Sequence, residues 1–176
     1  TLCEDACINT KKLDPSQFAF EVWKLGHWYN EALIAVENNG PGLACIIPLK
    51  NESHAMEYRT AYRRLYYKEE FDEASKKRTK KVGWSTTAKS KPLMIDKLAE
   101  LIRNGDIDIP SQDTIRELQT YVIEEDGKMN AAPGCHDDRV MALAIAVMMY
   151  AIRPNIGTVK KVRVEDTLIG HYPSRR

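Results

Sequence analysis

The run Val140-Met141-Ala142-Leu143-Ala144-Ile145-Ala146-Val147-Met148-Met149 holds no polar side chain, and that one stretch limits the folds open to the chain. It starts behind Asp137 and Asp138 and ends before Pro154, which predicts a helix that is apolar almost all round. Such a helix has no face to give to water, so other elements must enclose it. It falls short of the length that a membrane span needs, and no other run comes closer, so no membrane role is expected.

The enclosing elements are legible upstream. Asp14-Pro15-Ser16 opens a helix in which Phe18, Val22 and Leu25 recur at helical spacing before Gly26. Ala32-Leu33-Ile34-Ala35-Val36 is short, apolar and followed by Glu37-Asn38-Asn39-Gly40-Pro41-Gly42, the pattern of a buried strand entering a tight turn. Leu43 to Leu49 reads as a helix start weakened by Pro48, and a polar helical stretch through Tyr58 and Tyr62 leads to a second strand at Leu65-Tyr66-Tyr67. The segment from Glu69 to Ser90 is polar and basic, a long loop or hairpin. Lys91-Pro92 opens a helix with Leu93, Met94, Leu98, Leu101 and Ile102 on one face, closed by Asn104-Gly105. A short strand at Ile107-Asp108-Ile109 and a helix from Thr114 to Val122 follow, with a turn at Gly127. This alternation predicts a single α/β domain with a mixed or parallel sheet.

Net charge is +1, with 26 basic against 25 acidic residues, so bulk electrostatics neither demand nor exclude a nucleic acid partner. Positive charge concentrates in Ser75-Lys76-Lys77-Arg78-Thr79-Lys80-Lys81 and in a tail bearing Lys160, Lys161, Arg163, Arg175 and Arg176. The four cysteines (Cys3, Cys7, Cys45, Cys135) are scattered, which suits a reducing compartment better than a disulfide framework; Cys3 and Cys7 have no second ligand pair for zinc.

Chemistry centres on Glu37, at the end of the predicted buried strand, and on Asp137 and Asp138, at the start of the buried helix. Carboxylates from separate elements can supply the hard oxygen ligands that two-metal phosphodiester cleavage needs. The same residues also suit plain structural work: aspartates cap helices, and Glu37 opens a turn. His136 is a cap neighbour, a ligand or a base.

Ordered blocks of residues carry a resemblance. Pro15-Ser16-Gln17-Phe18-Ala19, Tyr29-Asn30-Glu31-Ala32 with Val36-Glu37-Asn38-Asn39, Gly83-Trp84-Ser85-Thr86-Thr87 with Lys91-Pro92, and Gly134-Cys135-His136-Asp137-Asp138-Arg139-Val140-Met141-Ala142 follow one another along the chain. Together they resemble the nuclease domain of tailed-phage large terminase subunits. The resemblance implies an RNase H-like mixed sheet flanked by helices over residues 13–153, a ragged start at 1–12 and a basic tail at 154–176. It implies three acidic positions that bind magnesium or manganese, in two ions when complete: one on a first strand, one matched by Glu37 and one matched by Asp137 or Asp138. Glu37, Asp137, Asp138 and His136 are the expected catalytic residues, with His136 the candidate to orient water. The activity implied is cutting of double-stranded concatemeric DNA during genome packaging in the cytoplasm of an infected bacterium. Portal protein and small terminase subunit are the implied partners, and the family's ATPase domain normally shares the chain; no Walker-type phosphate loop occurs in these residues. The family's first acidic residue lies on a strand ahead of the position matched by Leu13, and neither Glu4 nor Asp5 has an expected strand around it.

Lys76, Lys77, Arg78, Lys80 and Lys81 are the first choice for phosphate contacts, with a solvated surface or mobile loop as the competing reading, and Trp84 is either beside them on DNA or packed on the core. Arg139 contacts the scissile phosphate or pairs with a neighbour. Tyr58, Tyr62, Tyr66 and Tyr67 are expected to pack rather than to stack on bases. A non-catalytic DNA-docking or motor-assembly module is the alternative function, and a resolvase- or transposase-like enzyme a third.

Overall fold

A computed structural model describes residues 2–50, 61–73, 76–124 and 127–152. In order the elements are β1 (Leu2–Cys3), α1 (Pro15–Trp28), α2 (Gly42–Lys50), β2 (Tyr67–Asp72), β3 (Lys77–Val82), α3 (Ser90–Asn104), β4 (Ile107–Asp108), α4 (Gln112–Gln119), β5 (Tyr121–Ile123), β6 (Met129–Ala131) and α5 (Asp138–Ile152). The expected polar helical stretch around Tyr58 and the basic tail fall outside the described residues. None of the described helices is long and apolar enough to cross a membrane.

The architecture is mixed α/β; among the described residues three two-stranded ladders and a set of single bridges stand where a continuous sheet was expected. β1 pairs with β4 in parallel, β2 with β3 antiparallel and β5 with β6 antiparallel. The expected strand at 32–36 is present as extended chain bonded along one edge. Ile34 donates to the Arg64 carbonyl and accepts from the Tyr66 N–H; two residues on, Trp84 donates to the Val36 carbonyl and accepts from Asn38. In an uninterrupted parallel strand Lys68 would stand where Trp84 stands. The β2–β3 hairpin is therefore an excursion from one strand: the chain leaves at Tyr67 and rejoins the same ladder at Gly83, whose N–H bonds the Tyr66 carbonyl. Gly83 makes the return possible, with φ of 83° and the Val36 carbonyl where a Cβ would sit. Among the described residues Leu33, Ala35 and Glu37 form no backbone–backbone hydrogen bond on the opposite edge.

Side chains of this segment alternate between two cores. Ile34 and Val36 pack with Ala19, Cys45, Leu49 and Tyr62 under α1 and α2, while Leu33 and Ala35 pack with Met94, Leu98, Val140 and Ala144 of α3 and α5. Apolar residues on both faces explain why the strand reads as an unbroken apolar run. α5 buries Val140, Ala144, Ile145, Val147 and Met149, each large one contributing about 1.5–3 kcal/mol. The expectation that α5 is enclosed all round is corrected: Ala142, Ala146 and Tyr150, four residues apart, are exposed.

Other boundaries move for identifiable reasons. α1 starts as expected, with Asp14 capping Ser16 and Gln17 and the Gln17 amide oxygen accepting from the Asp14 N–H. It runs through Gly26 to Trp28, because Gly26 ends nothing; it admits the Tyr62 ring, which lies where a Cβ would project. α3 closes at Gly105 as read, although Leu93 and Ile102 are exposed rather than in the core. Val122 belongs to β5, not to the preceding helix, since Tyr121-Val122-Ile123 suits a strand. Residues 2–3 are not ragged: Leu2 packs on the α3–α5 core, and the strand bonding continues to Glu4, whose N–H donates to the Asp108 carbonyl.

Gly26→Ala is expected to lower unfolding free energy by about 1–3 kcal/mol in urea titration, despite the better helix propensity of alanine, because the added methyl displaces Tyr62. An unchanged midpoint would contradict this packing.

Candidate active site

Glu37 reaches the end of its extended segment just as the chain turns. Asn38, almost fully buried, holds that end in place: its amide donates to the Val82 carbonyl at 3.0 Å and its oxygen accepts from Ser85 Oγ at 2.8 Å. Asn39 donates to the Thr86 carbonyl at 2.8 Å and lies 3.4 Å from Glu37 Oε1. The two asparagines tie the acidic residue to the returning end of the hairpin excursion.

The other acidic residues arrive on α5. Asp137 occupies the cap position, its carbonyl accepting from the Met141 N–H at 2.9 Å. A carboxylate from another helix serves the first turn: Glu117 Oε2 accepts from the Arg139 N–H at 2.7 Å and Oε1 from the Arg139 guanidinium at 2.6 Å. Asp137 instead faces Lys91, with Nζ 3.7 Å from Oδ2. Capping by the aspartates is thus taken over by Glu117.

Glu37, Asp137 and Asp138, distant in sequence, line one cleft of about 400 Å³ together with Asn39, Thr86 and Lys91. Its apolar wall is Ala35, Met141, Ala142 and Ile145. The donors are hard oxygens, and the cleft already sets one cation, the Lys91 ammonium, against Asp137. In chemistry this set fits a divalent ion such as magnesium or manganese. In spacing, no three His, Cys, Asp or Glu side chains among the described residues are gathered as a group that could hold a metal ion.

The remaining expected site residues lie elsewhere. His136 is exposed and does not line the cleft. Trp84 is buried at 8% exposure, donates to Met94 Sδ at 3.2 Å and packs against Tyr66, so its place is the core and not a DNA surface. Arg139 pairs with Glu117 and, at 3.4 Å, with Asp113, which corrects the phosphate-contact reading. The Glu117 hydrogen bond holds its guanidinium pKa above the usual value. Lys76, Lys77, Arg78, Lys80 and Lys81 are exposed on and beside β3. Part of that charge is offset: Glu69 lies 3.4 Å from Lys80 and 4.0 Å from Arg78. Tyr62 and Tyr66 pack as expected, Tyr67 is exposed, and Tyr58 lies outside the described residues. Cys3 and Cys7 are free and share no helix.

Lys91, Asn39, Thr86 and Glu117 are residues that the sequence reading left without a role. Lys91 was visible as a helix opener and as part of an ordered block, without a chemical role, and Glu117 had no local signal, since its partner lies 22 positions away.

Glu117→Ala is expected to cost about 2–3 kcal/mol in chemical denaturation, below the fully buried limit because Arg139 keeps Asp113 and some solvent. Glu117→Gln should cost less, and equal losses would contradict the paired-charge account. Burial, and then the charge of Asp137, push the Tyr121 hydroxyl up from 10.0 to about 12. A raised folded pKa gives stability that is complete below pH 10 and lost as pH climbs toward about 12. Tyr121→Phe should therefore lose less stability than the parent across that window in alkaline unfolding. No protein-family model matches the chain, and no curated protein matches it.

Proposed function

We propose that the chain is an RNase H-like endonuclease domain of the large-terminase type, which hydrolyses phosphodiester bonds of double-stranded DNA during viral genome packaging. The observation that carries this reading is the meeting of Glu37, Asp137 and Asp138 in one cleft, from a strand end and a helix start 100 positions apart. The resemblance, which rests on sequence blocks alone, implies a common site for the same residues. The layering of helices on both faces of the extended segment is also what an RNase H-like domain requires.

Glu37, Asp137 and Asp138 would hold magnesium or manganese, which when bound supplies Lewis-acid charge at the scissile phosphate. The protein's own residues do the rest. The Asn38 and Asn39 bonds fix the backbone that carries Glu37, and Glu117 fixes the turn of α5 that carries the aspartates. Exposed Lys77, Arg78 and Lys80 on the hairpin attract the phosphate backbone without reading sequence. The cytoplasm of an infected bacterium, portal and small-subunit partners, and an ATPase domain in the same protein belong to this proposal.

A non-catalytic DNA-docking module is the second reading: the Lys91 ammonium already stands 3.7 Å from Asp137, and the exposed basic strand of the hairpin needs no metal to attract a duplex. Plasmid nicking with manganese or magnesium separates the two. The nuclease reading predicts cleavage that Glu37→Gln and Asp138→Asn each reduce at least about 100-fold, as for loss of a group acting on the transition state. Duplex and manganese binding with no cleavage would leave the docking reading. Replacing Lys77, Arg78 and Lys80 by Gln should lower duplex affinity and flatten its salt dependence by roughly 0.9 per lost phosphate contact; an unchanged slope would remove the hairpin from the DNA surface.

A further inference from the structure

Lys91 lies beside the acidic residues in an arrangement that neither helix opening nor packing explains. Its Nζ donates to Asn130 Oδ1 at 3.1 Å and lies 5.9 Å from the centre of the Tyr121 ring. Asn130 is itself oriented, its amide donating to Glu124 Oε1 at 3.3 Å. The β5–β6 hairpin thus builds a socket for an ammonium group at the edge of the carboxylate cleft.

The two kinds of partner differ in strength. At 3.1 Å the Asn130 contact is a hydrogen bond, whereas 3.7 Å to Asp137 is an ion pair without one. Lys91 is anchored by a neutral amide and an aromatic face, and its charge is not consumed by a close carboxylate. An ammonium has three donors, so a donor remains for a ligand in the cleft. A lysine meant only to neutralise Asp137 would sit in direct contact with it. A solvated surface lysine would have neither Asn130 nor the ring.

We propose that Lys91 is an exchangeable counter-ion: it offsets Asp137 when the cleft lacks a divalent cation, and turns to a substrate phosphate oxygen when that cation takes Asp137. This rests on the nuclease reading of the cleft and adds to it a phosphate-binding residue. Asn130 is a positioning residue that keeps the ammonium from collapsing onto Asp137. No bond is made or broken in the exchange; one ion pair replaces another.

The test uses manganese calorimetry and duplex binding on the full chain with Lys91→Met, Lys91→Arg and Asn130→Leu, each checked for folding by circular dichroism. Removing the competing charge should tighten manganese binding by about two- to fivefold in Lys91→Met, the range of an ion pair that keeps partial contact with solvent. Asn130→Leu should weaken it, because the freed ammonium moves onto Asp137. Opposite shifts at two residues in contact are what a merely structural role would not produce. Lys91→Met should also reduce the salt slope of duplex binding by roughly 0.9, with Lys91→Arg restoring it. Shifts of the same sign in the two variants, or an unchanged duplex slope, would overturn the proposal. Should the parent and Lys91→Met both take up no manganese, the nuclease reading fails, and the duplex slope alone still decides whether Lys91 holds a phosphate.

Discussion

Helix α5 cannot be solvated along the face bearing Val140, Ala144 and Val147, and the rest of the domain is arranged around that constraint. α3 covers it with Met94, Leu98 and Leu101, and the extended segment at 32–38 adds Leu33 and Ala35 to the same core. Burial at the amino-terminal half of the helix brings Asp137 at its cap and Asp138 at its first residue up to the end of that segment, where Glu37 stands. The packing that hides the helix therefore also brings the acidic residues into one cleft.

Electrostatics complete the arrangement. The start of α5 needs acceptors for its free N–H groups, and a local aspartate is the usual provider. Here Glu117 of α4 bonds the Arg139 N–H and guanidinium together, a nearly buried, charge-assisted pair. That leaves the aspartate carboxylates available to the cleft, where the Lys91 ammonium lies 3.7 Å from Asp137 Oδ2. The hairpin grows from the strand that flanks Glu37, so its exposed basic strand and the acidic cleft share the same short ladder.

Most helices were legible because their signals are local: Asp14 with Pro15 for α1, Gly105 for α3, and the uninterrupted apolar run for α5. Glu37, Asp137 and Asp138 were legible as a set through the ordered blocks, and the structure brings them to one cleft. What escaped depends on partners far apart in sequence. The apolar content of 32–36 announced a strand but not its one-sided pairing or the hairpin excursion, since bridges from Ile34 to Leu65 and from Glu37 to Trp84 leave no local trace. Trp84 and Arg139 looked available for DNA because aromatic and basic side chains serve either purpose; Met94 and Glu117 decide between them. Gly26 looked like a helix end and is a packing site, a difference set wholly by Tyr62.

The central claim is that Glu37 and the Asp137-Asp138 pair act on one divalent-cation site. The most direct measurement is an anomalous difference map from crystals soaked in manganese. The account predicts a peak within coordination distance, about 2.0–2.3 Å, of a Glu37 oxygen and of an aspartate oxygen at the start of α5. Manganese bound only elsewhere, or a cleft that stays empty at saturating manganese, would contradict it.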